Sequence, residues 1–205
     1  MGENKVYCKG ISDYGRFERD RVNDVEVIKE LSAALLKADA HVTWYGTYFD
    51  IPYLNSRRIK HGLPPLPQIP HIDGWYIAKK KLKLHSNRLA SVSAFLGLEN
   101  KTPILQAHWL RAAAGYSASI KYVKDHNKQD VVVLEQAYEK LRALTTNHPN
   151  TSLLGRPGCP ICGSNSLLLR GFNVARTTVK QRYQCRDCGG WSSGPPKSIR
   201  GVTAR

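Results

Sequence analysis

Fold class follows from one stretch of the chain, HVTWYGTYFDIPYLNSRRIKHG, which covers residues 41–62. Its first five residues are rich in β-branched and aromatic side chains, and they predict a strand. The part that follows predicts a helix over residues 50–61, ended by Gly62 with Pro64 and Pro65 beyond it. A strand that leads directly into a helix is the unit from which layered α/β domains are built.

The same alternation continues on both sides of this stretch. Short strands are predicted at residues 6–10 and 69–78. Apolar residues at helical spacing predict a helix that begins near residue 24, a second that begins at Ser86, and a long one over residues 119–144. Alternating strands and helices predict an α/β domain with helices layered on a sheet.

Composition excludes several classes of protein. The chain has 205 residues, of which 41% are hydrophobic, so it can bury a core and is not of the disordered class. It carries 31 Lys and Arg against 16 Asp and Glu, a net charge of +15 concentrated in residues 51–90 and 151–205. This charge favours a nucleic-acid partner over a neutral one. No apolar run approaches the ~18 residues of a membrane span, and we expect a soluble, cytoplasmic protein without a membrane partner.

The composition changes at residues 145–158, where Asn, Thr, Pro and Gly replace the helical pattern. We therefore predict two modules. The first covers residues 1–146, a linker covers 147–155, and the second module covers 156–194. Residues 195–205 are predicted to form a flexible tail.

Four cysteines dominate the second module. Cys159 and Cys162 form one C-x₂-C pair, Cys185 and Cys188 form another, and 22 residues separate the pairs. Two such pairs supply the four thiolates of a tetrahedral Zn²⁺ site, and the apolar and β-rich residues between them predict the hairpin of a zinc ribbon. The zinc has a structural role, and the ribbon either contacts nucleic acid or docks a protein. The cations predicted to contact nucleic acid here are Arg170, Arg176, Lys180, Arg182 and Arg186.

An aspartate stands between the predicted strand and helix of the first module. Taken alone, Asp50 is either a helix cap or a metal ligand. Residues 44–67 resemble the second motif of the DnaQ-like (DEDD) 3′–5′ exonucleases of the ribonuclease H-like superfamily, in which Phe-Asp precedes an apolar residue, Pro and a downstream Leu. Phe49, Asp50, Pro52 and Leu54 stand in those positions.

Two further segments extend the resemblance to about residues 24–142. Residues 71–103 are similar to the His-Ile-Asp strand of that family and the stretch after it, with Asp73 as the acid. Residues 122–141 are similar to the third motif, with Asp130 as its acid. The resemblance implies a ribonuclease H-like fold and phosphodiester hydrolysis assisted by Mg²⁺ or Mn²⁺.

The resemblance also implies a role for each of four residues. Asp50 and Asp130 would bind the catalytic Mg²⁺ or Mn²⁺, and Asp73 would bind metal or support the site, unless it only ends a strand. His126 lies four positions before Asp130, so both project from one face of a helix. His126 would then orient or deprotonate the attacking water, the alternative being an ordinary surface histidine.

The first motif of the family, an Asp-x-Glu on the first strand, is not found. Asp24 and Glu26 match this motif in residue type and spacing. They lie, however, at the start of a predicted helix, where Asn23 and Glu26 fit a capping box. The interval from Asp24 to Asp50 is also too short for the strands and helix that the fold places there. We therefore assign both acids to capping. The chain is then a fragment, begins inside a longer reading frame, binds without cutting, or is completed by a partner chain.

Basic residues surround the predicted site. Their charge would hold phosphates beside the metals. The six cations predicted to bind nucleic acid in this region are Arg57, Arg58, Lys79, Lys80, Lys81 and Lys83. The first hypothesis is a 3′–5′ exonuclease that processes single-stranded DNA or RNA ends. The alternatives are an inactive nucleic-acid-binding adaptor with a zinc ribbon, and a subunit that a replication or recombination partner completes.

Overall fold

The computed structural model describes residues 6–98, 105–155 and 157–198. The chain divides into two compact units, Met1–Lys140 and Leu141–Arg205. In chain order, the main elements of the first unit are α1 (Val25–Leu35), β1 (His41–Thr43), α2 (Asp50–Lys60), β2 (His71–Asp73), α3 (Gly74–Lys81), α4 (Leu89–Phe95), α5 (Gln106–Ala113) and α6 (Ser117–Leu141). The mixture of helices and parallel strands agrees with the predicted α/β class.

A pair of parallel strands organises the first unit. β1 pairs with β2, with His41 opposite His71 and Thr43 opposite Asp73. Because parallel strands run in the same direction, their carboxyl ends meet at one edge of the sheet, so the loop after β1 and the start of α3 are neighbours. The side chains that form the core of this unit are Ile28, Leu54, Ile72, Ile77, Ala78, Val92, Val133 and Ala137.

Of the strands predicted for the first unit, one is shorter than expected and one does not form. The strand expected over residues 69–78 stops at Asp73, because the Asp73 carboxylate accepts a hydrogen bond from the backbone N–H of Trp75 and caps α3. Residues 6–10 form no strand, and a 3₁₀ turn follows at Ile11–Asp13. The helices predicted over 50–61 and 119–144 are found at Asp50–Lys60 and Ser117–Leu141.

The second unit contains an antiparallel sheet in the order β3-β4-β5. Its strands are β3 (Leu167–Val174), β4 (Thr178–Cys185) and β5 (Trp191–Ser198). β5 includes residues 195–198, so the flexible tail expected from residue 195 is wrong for these residues, and 199–205 lie outside the described part. Pro195 and Pro196 fit this strand because β5 is at the edge of the sheet, where alternate N–H groups point away from β4, and because the register of the β4–β5 pair shifts between Lys180 and Arg182.

The predicted linker is bonded to the second unit. Within it lies a 3₁₀ turn, Thr151–Leu154, whose first residue donates its backbone N–H to the carbonyl of Pro160 at 2.9 Å. The Thr151 hydroxyl donates to the carbonyls of Cys159 and Pro160. Among the helices that the structure describes, none is long and apolar enough to cross a lipid bilayer.

Candidate functional site

Asp73 fixes the loop that follows β1. The residue is only 6% exposed, and both oxygens of its carboxylate accept hydrogen bonds. One oxygen accepts the backbone N–H groups of Tyr45 at 2.8 Å and Trp75 at 3.1 Å, and the other accepts that of Thr47 at 3.0 Å. Both oxygens are therefore engaged by main chain, which gives Asp73 the role of holding the loop. Metal binding by Asp73 stays a prediction.

Asp50 is the first residue of α2 and lies close enough to Asp73 for the two charges to interact. Partial removal from water raises the pKa of the Asp50 carboxyl, and the negative charge of Asp73 adds to this rise. The neighbouring imidazole of His71 opposes it. His71 itself has a pKa below its usual value because it is partly buried, and its Nε2 lies 2.8 Å from the Thr43 hydroxyl. The sheet edge therefore has a negative potential centred on Asp50 and Asp73.

His126 and Asp130 lie together on α6, as their spacing predicts. The Nε2 of His126 is 3.8 Å from an Asp130 carboxylate oxygen. The His126 side chain is 12% exposed, and its Nδ1 is buried with no hydrogen-bond partner among the described residues. The pair has the geometry of a histidine next to an acid, and its catalytic role stays a prediction.

Asp50, Asp73 and Asp130 do not come together as a three-carboxylate metal site in the described residues. Among residues 6–98, 105–155 and 157–198, the only set of three or more Asp, Glu, His or Cys side chains with ligand atoms within 4.8 Å of one another is the four cysteines. Asp50, Asp73 and Asp130 therefore do not meet this criterion together. That Asp50 and Asp130 share an ion stays a prediction.

The sequence predicts that Asp24 caps α1, and the structure shows that its side chain does not. It occupies the N-cap position, but its side chain makes no capping hydrogen bond. Instead Arg57 donates two hydrogen bonds to its carboxylate, at 2.6 and 2.5 Å, and the Nε2 of His61 lies 2.6 Å away. Burial alone would raise the pKa of Asp24, but the hydrogen bonds from Arg57 and His61 lower it to about 2. Glu26 is exposed and pairs with Lys29.

The six cations predicted to bind nucleic acid near the sheet fall into two groups. Arg57 is held by Asp24, and Arg58 is buried with its Nε donating to the carbonyl of Pro64 at 2.7 Å. Both guanidinium groups thus have structural partners, and nucleic-acid contact by them stays a prediction. The other four side chains are exposed to solvent: Lys79, Lys80, Lys81 and Lys83.

A cluster of aromatic rings lies beside Asp50 and Asp73, and sequence reasoning missed it. We define the aromatic cluster as Tyr45, Tyr48, Trp75 and Tyr76, whose ring centroids lie 5.0–5.9 Å from their neighbours. Tyr45 is 43% exposed and Tyr48 is 52% exposed. The available signal was the concentration of aromatic residues directly after each of the two strands, in WYGTYF and GWY.

The four cysteines of the second unit come together as predicted. Cys159 Sγ lies 3.7 Å from Cys188 Sγ, and Cys162 Sγ lies 3.7 Å from Cys185 Sγ. A tetrahedral Zn²⁺ with Zn–S bonds of about 2.3 Å places its sulfurs about 3.8 Å apart, so the cluster fits zinc. Burial favours a higher pKa for Cys185, but the backbone N–H groups of Cys188 and Asp187 help to hold it at about 7. These contacts favour the thiolate of Cys185 alone, because burial and the neighbouring thiols raise the pKa of Cys162 and Cys188, so a bound Zn²⁺ would have to displace protons there.

One face of the ribbon sheet presents cations and an indole. Arg170 donates from Nε to Gln184 at 3.1 Å, and the guanidinium of Arg182 lies 5.5 Å from the centre of the Trp191 ring. Arg176 and Arg186 are exposed, and Lys180 is half-buried on β4. The five predicted ribbon cations thus keep access to solvent, and contact with nucleic acid by them stays a prediction.

Comparison with known proteins places the chain in a family. A family model described as RNase_H superfamily matches residues 3–142, about two thirds of the chain. The search of curated proteins found no match to the chain. The matched segment includes the parallel strands, the aromatic cluster and the acids on α2 and α6. The chain therefore belongs to the RNase H superfamily.

Proposed function

We propose that the protein is a metal-dependent 3′–5′ exonuclease that removes nucleotides from DNA or RNA ends. Membership of the RNase H superfamily supports nuclease-like processing of nucleic acid. The observation that carries the proposal is the position of Asp50, at the start of α2 and at the carboxyl edge of two parallel strands, beside the carboxylate of Asp73.

The residues at this edge fit a hard divalent cation. Burial raises the pKa of Asp50, and the negative charge of the neighbouring Asp73 carboxylate adds to the rise, so a cation beside Asp50 would favour its ionised form. Oxygen donors of this kind suit Mg²⁺ or Mn²⁺. Asp50 and Asp130 are the residues proposed to hold the ion. When bound, the ion would activate water and stabilise the leaving oxygen.

The chain's own groups account for the other steps. His126 has a buried Nδ1 and an Nε2 directed towards Asp130, and we assign it the orientation and deprotonation of the attacking water. The exposed lysines at the end of α3 would hold backbone phosphates near the site. Zn²⁺ on the four cysteines would keep the ribbon folded, and the ribbon cations would extend the contact with the strand.

One observation favours a second candidate, a nucleic-acid-binding adaptor without activity. In the described residues, the carboxylate oxygens of Asp50, Asp73 and Asp130 do not all lie within 4.8 Å of one another. Asp24, which matches the missing first motif in residue type, forms an ion pair with Arg57. A subunit whose remaining acids come from a replication or recombination partner accounts for the same facts.

Digestion of labelled single strands separates these candidates. Pure protein is incubated with 5′-labelled DNA and RNA oligonucleotides in Mg²⁺ or Mn²⁺, beside Asp50→Asn and Asp130→Asn variants. An Asp39→Asn variant, altered at an exposed loop position, is the matched control. We expect a ladder that shortens stepwise from the 3′ end, lost in the first two variants and kept in the control. Cleavage that survives both substitutions contradicts the proposed site, and binding without cleavage supports the adaptor.

A further inference from the structure

The aromatic cluster is held in a fixed arrangement although much of it faces water. Tyr45 and Tyr48 come from the loop after β1, and Trp75 and Tyr76 come from the start of α3. The Asp73 carboxylate binds the backbone of Tyr45 and Trp75 at the same time, which ties the two segments together. The hydroxyls of Tyr48 and Tyr76 also share a hydrogen bond of 2.5 Å. A rigid, exposed set of rings is preorganised for a flat ligand.

Cations border the same rings. The ammonium of Lys79 lies 4.6 Å from the centre of the Trp75 ring, and Lys80 and Lys81 follow it in the chain, exposed. Alternation of aromatic surface with positive charge matches a strand of nucleic acid, because bases stack on rings and phosphates pair with cations. An apolar protein segment would have no use for the lysines. The charge of the patch therefore selects a polyanion with flat faces.

The rings also adjoin the proposed catalytic edge. Phe49 and Tyr53 stack with their planes 8° apart on either side of the first turn of α2, and Asp50 lies between them in sequence. Phe49 is 61% exposed. Tyr48 of the aromatic cluster precedes Asp50 by only two positions, so the cluster and the proposed catalytic edge are parts of one segment.

We propose that the aromatic cluster is a stacking surface for unpaired bases, and that it makes single-stranded nucleic acid the preferred ligand of this unit. The inference rests on the proposed function, since it takes nucleic acid to be what the site acts on. A base can lie on these rings only when it is free of its complement. Duplex nucleic acid would therefore bind through its phosphates alone.

Fluorescence anisotropy without added divalent metal tests binding separately from cleavage. The probes are a fluorescein-labelled DNA single strand, the same strand as a duplex, and an RNA single strand. We expect tighter binding to single strands than to the duplex. Tyr48→Ala should weaken single-strand binding about tenfold, the effect of losing one stacked base, and should leave duplex binding unchanged.

Two variants control for other effects of the substitution. Tyr48→Phe keeps the ring and loses only the hydrogen bond to Tyr76, so it should recover most of the single-strand binding that Tyr48→Ala loses. Tyr116→Ala removes another exposed aromatic side chain that is outside the cluster, and it should bind as the native protein does. A 2-aminopurine base at the 3′ end gives a readout that needs no variant, because stacking on the rings quenches its emission. Equal affinity for single strand and duplex, or no effect of Tyr48→Ala, overturns the inference.

The outcomes for stacking and catalysis are distinguishable. Single-strand preference that depends on Tyr48, with no cleavage in Mg²⁺ or Mn²⁺, supports the stacking surface and contradicts the exonuclease. Cleavage lost in Asp50→Asn, with binding that is indifferent to Tyr48, supports the exonuclease and overturns the stacking surface. The DNA and RNA arms show which strand the surface prefers.

Discussion

Replacing Asp73 with alanine tests whether this carboxylate holds the loop or only binds metal. The substitution removes the acceptor for three backbone N–H groups, those of Tyr45, Thr47 and Trp75. Hydrogen bonds to a charged group contribute about 1.5–3 kcal/mol each. Because Tyr45 and Thr47 are exposed, water can replace part of that bonding. We therefore expect a net loss of about 3 kcal/mol, or roughly 10 °C in the Tm of the first unit.

The sign of the change separates the two roles. If Asp73 acted only as a metal ligand, its removal from the metal-free protein would relieve its repulsion of Asp50, and stability would rise. Asp50→Asn is the matched variant. Burial and Asp73 raise the pKa of Asp50, so the ionised carboxylate destabilises the fold above that pKa. Its removal should leave stability at pH 7 unchanged or slightly higher.

Urea unfolding followed by tryptophan fluorescence gives the measurement. The chain has four tryptophans, and a Trp191→Phe background leaves three, all in the first unit. Asp73→Ala should unfold at a lower urea concentration than the background protein, and Asp50→Asn should not. An Asp73→Ala protein as stable as its background would refute the loop-holding role.

Three further variants test other contacts. The pKa of Asp24 is about 2 in the folded protein and 3.8 in the unfolded chain, so the ionised carboxylate stabilises the fold above pH 4 and loses this effect towards pH 2. At pH 7 the substitution Asp24→Asn should cost about 1–2 kcal/mol of unfolding free energy after solvent screening. Urea titrations should show that this cost shrinks between pH 7 and pH 3. Cys162→Ser should lose bound zinc in elemental analysis and unfold the second unit by circular dichroism, while a variant that keeps zinc and folding contradicts the ribbon. Gly74→Ala would place a Cβ 2.6 Å from the Trp44 ring and should lower the Tm by several degrees, whereas Gly15→Ala, with nothing within 4 Å, should not.

Helices were predicted better than strands, for a local reason. The helix at Asp50–Lys60 follows from its sequence, because Gly62 and the prolines beyond it stop any continuation. The residues after β2 have a strand-like composition, yet they form α3. The hydrogen bond that the Asp73 carboxylate accepts from the backbone N–H of Trp75 decides this boundary, and β-propensity does not report it.

In the candidate sites, the sequence predicts the groups of residues whose spacing along the chain is enough to bring them together. The two C-x₂-C pairs bring their sulfurs together because each pair is one tight turn. The aromatic cluster was missed because Tyr48 and Tyr76 are 28 positions apart and meet only when β1 pairs with β2. The sequence does not tell which side of α2 packs against α1, so it does not reveal the ion pair between Arg57 and Asp24.

Two aspartates of the first unit show how charge environment separates a structural carboxylate from a candidate metal ligand. Asp24 is bonded to a guanidinium, and its pKa falls to about 2, because its negative charge is already balanced. The pKa of Asp50 moves the other way, because burial and a second carboxylate penalise its charge. A cation placed at Asp24 would have to displace Arg57, whereas one placed at Asp50 would relieve a repulsion. The search for a catalytic ion therefore belongs at the start of α2. At the start of α1, Asp24 connects the two helices through Arg57, whereas Glu26 is exposed and pairs with Lys29 on its own helix.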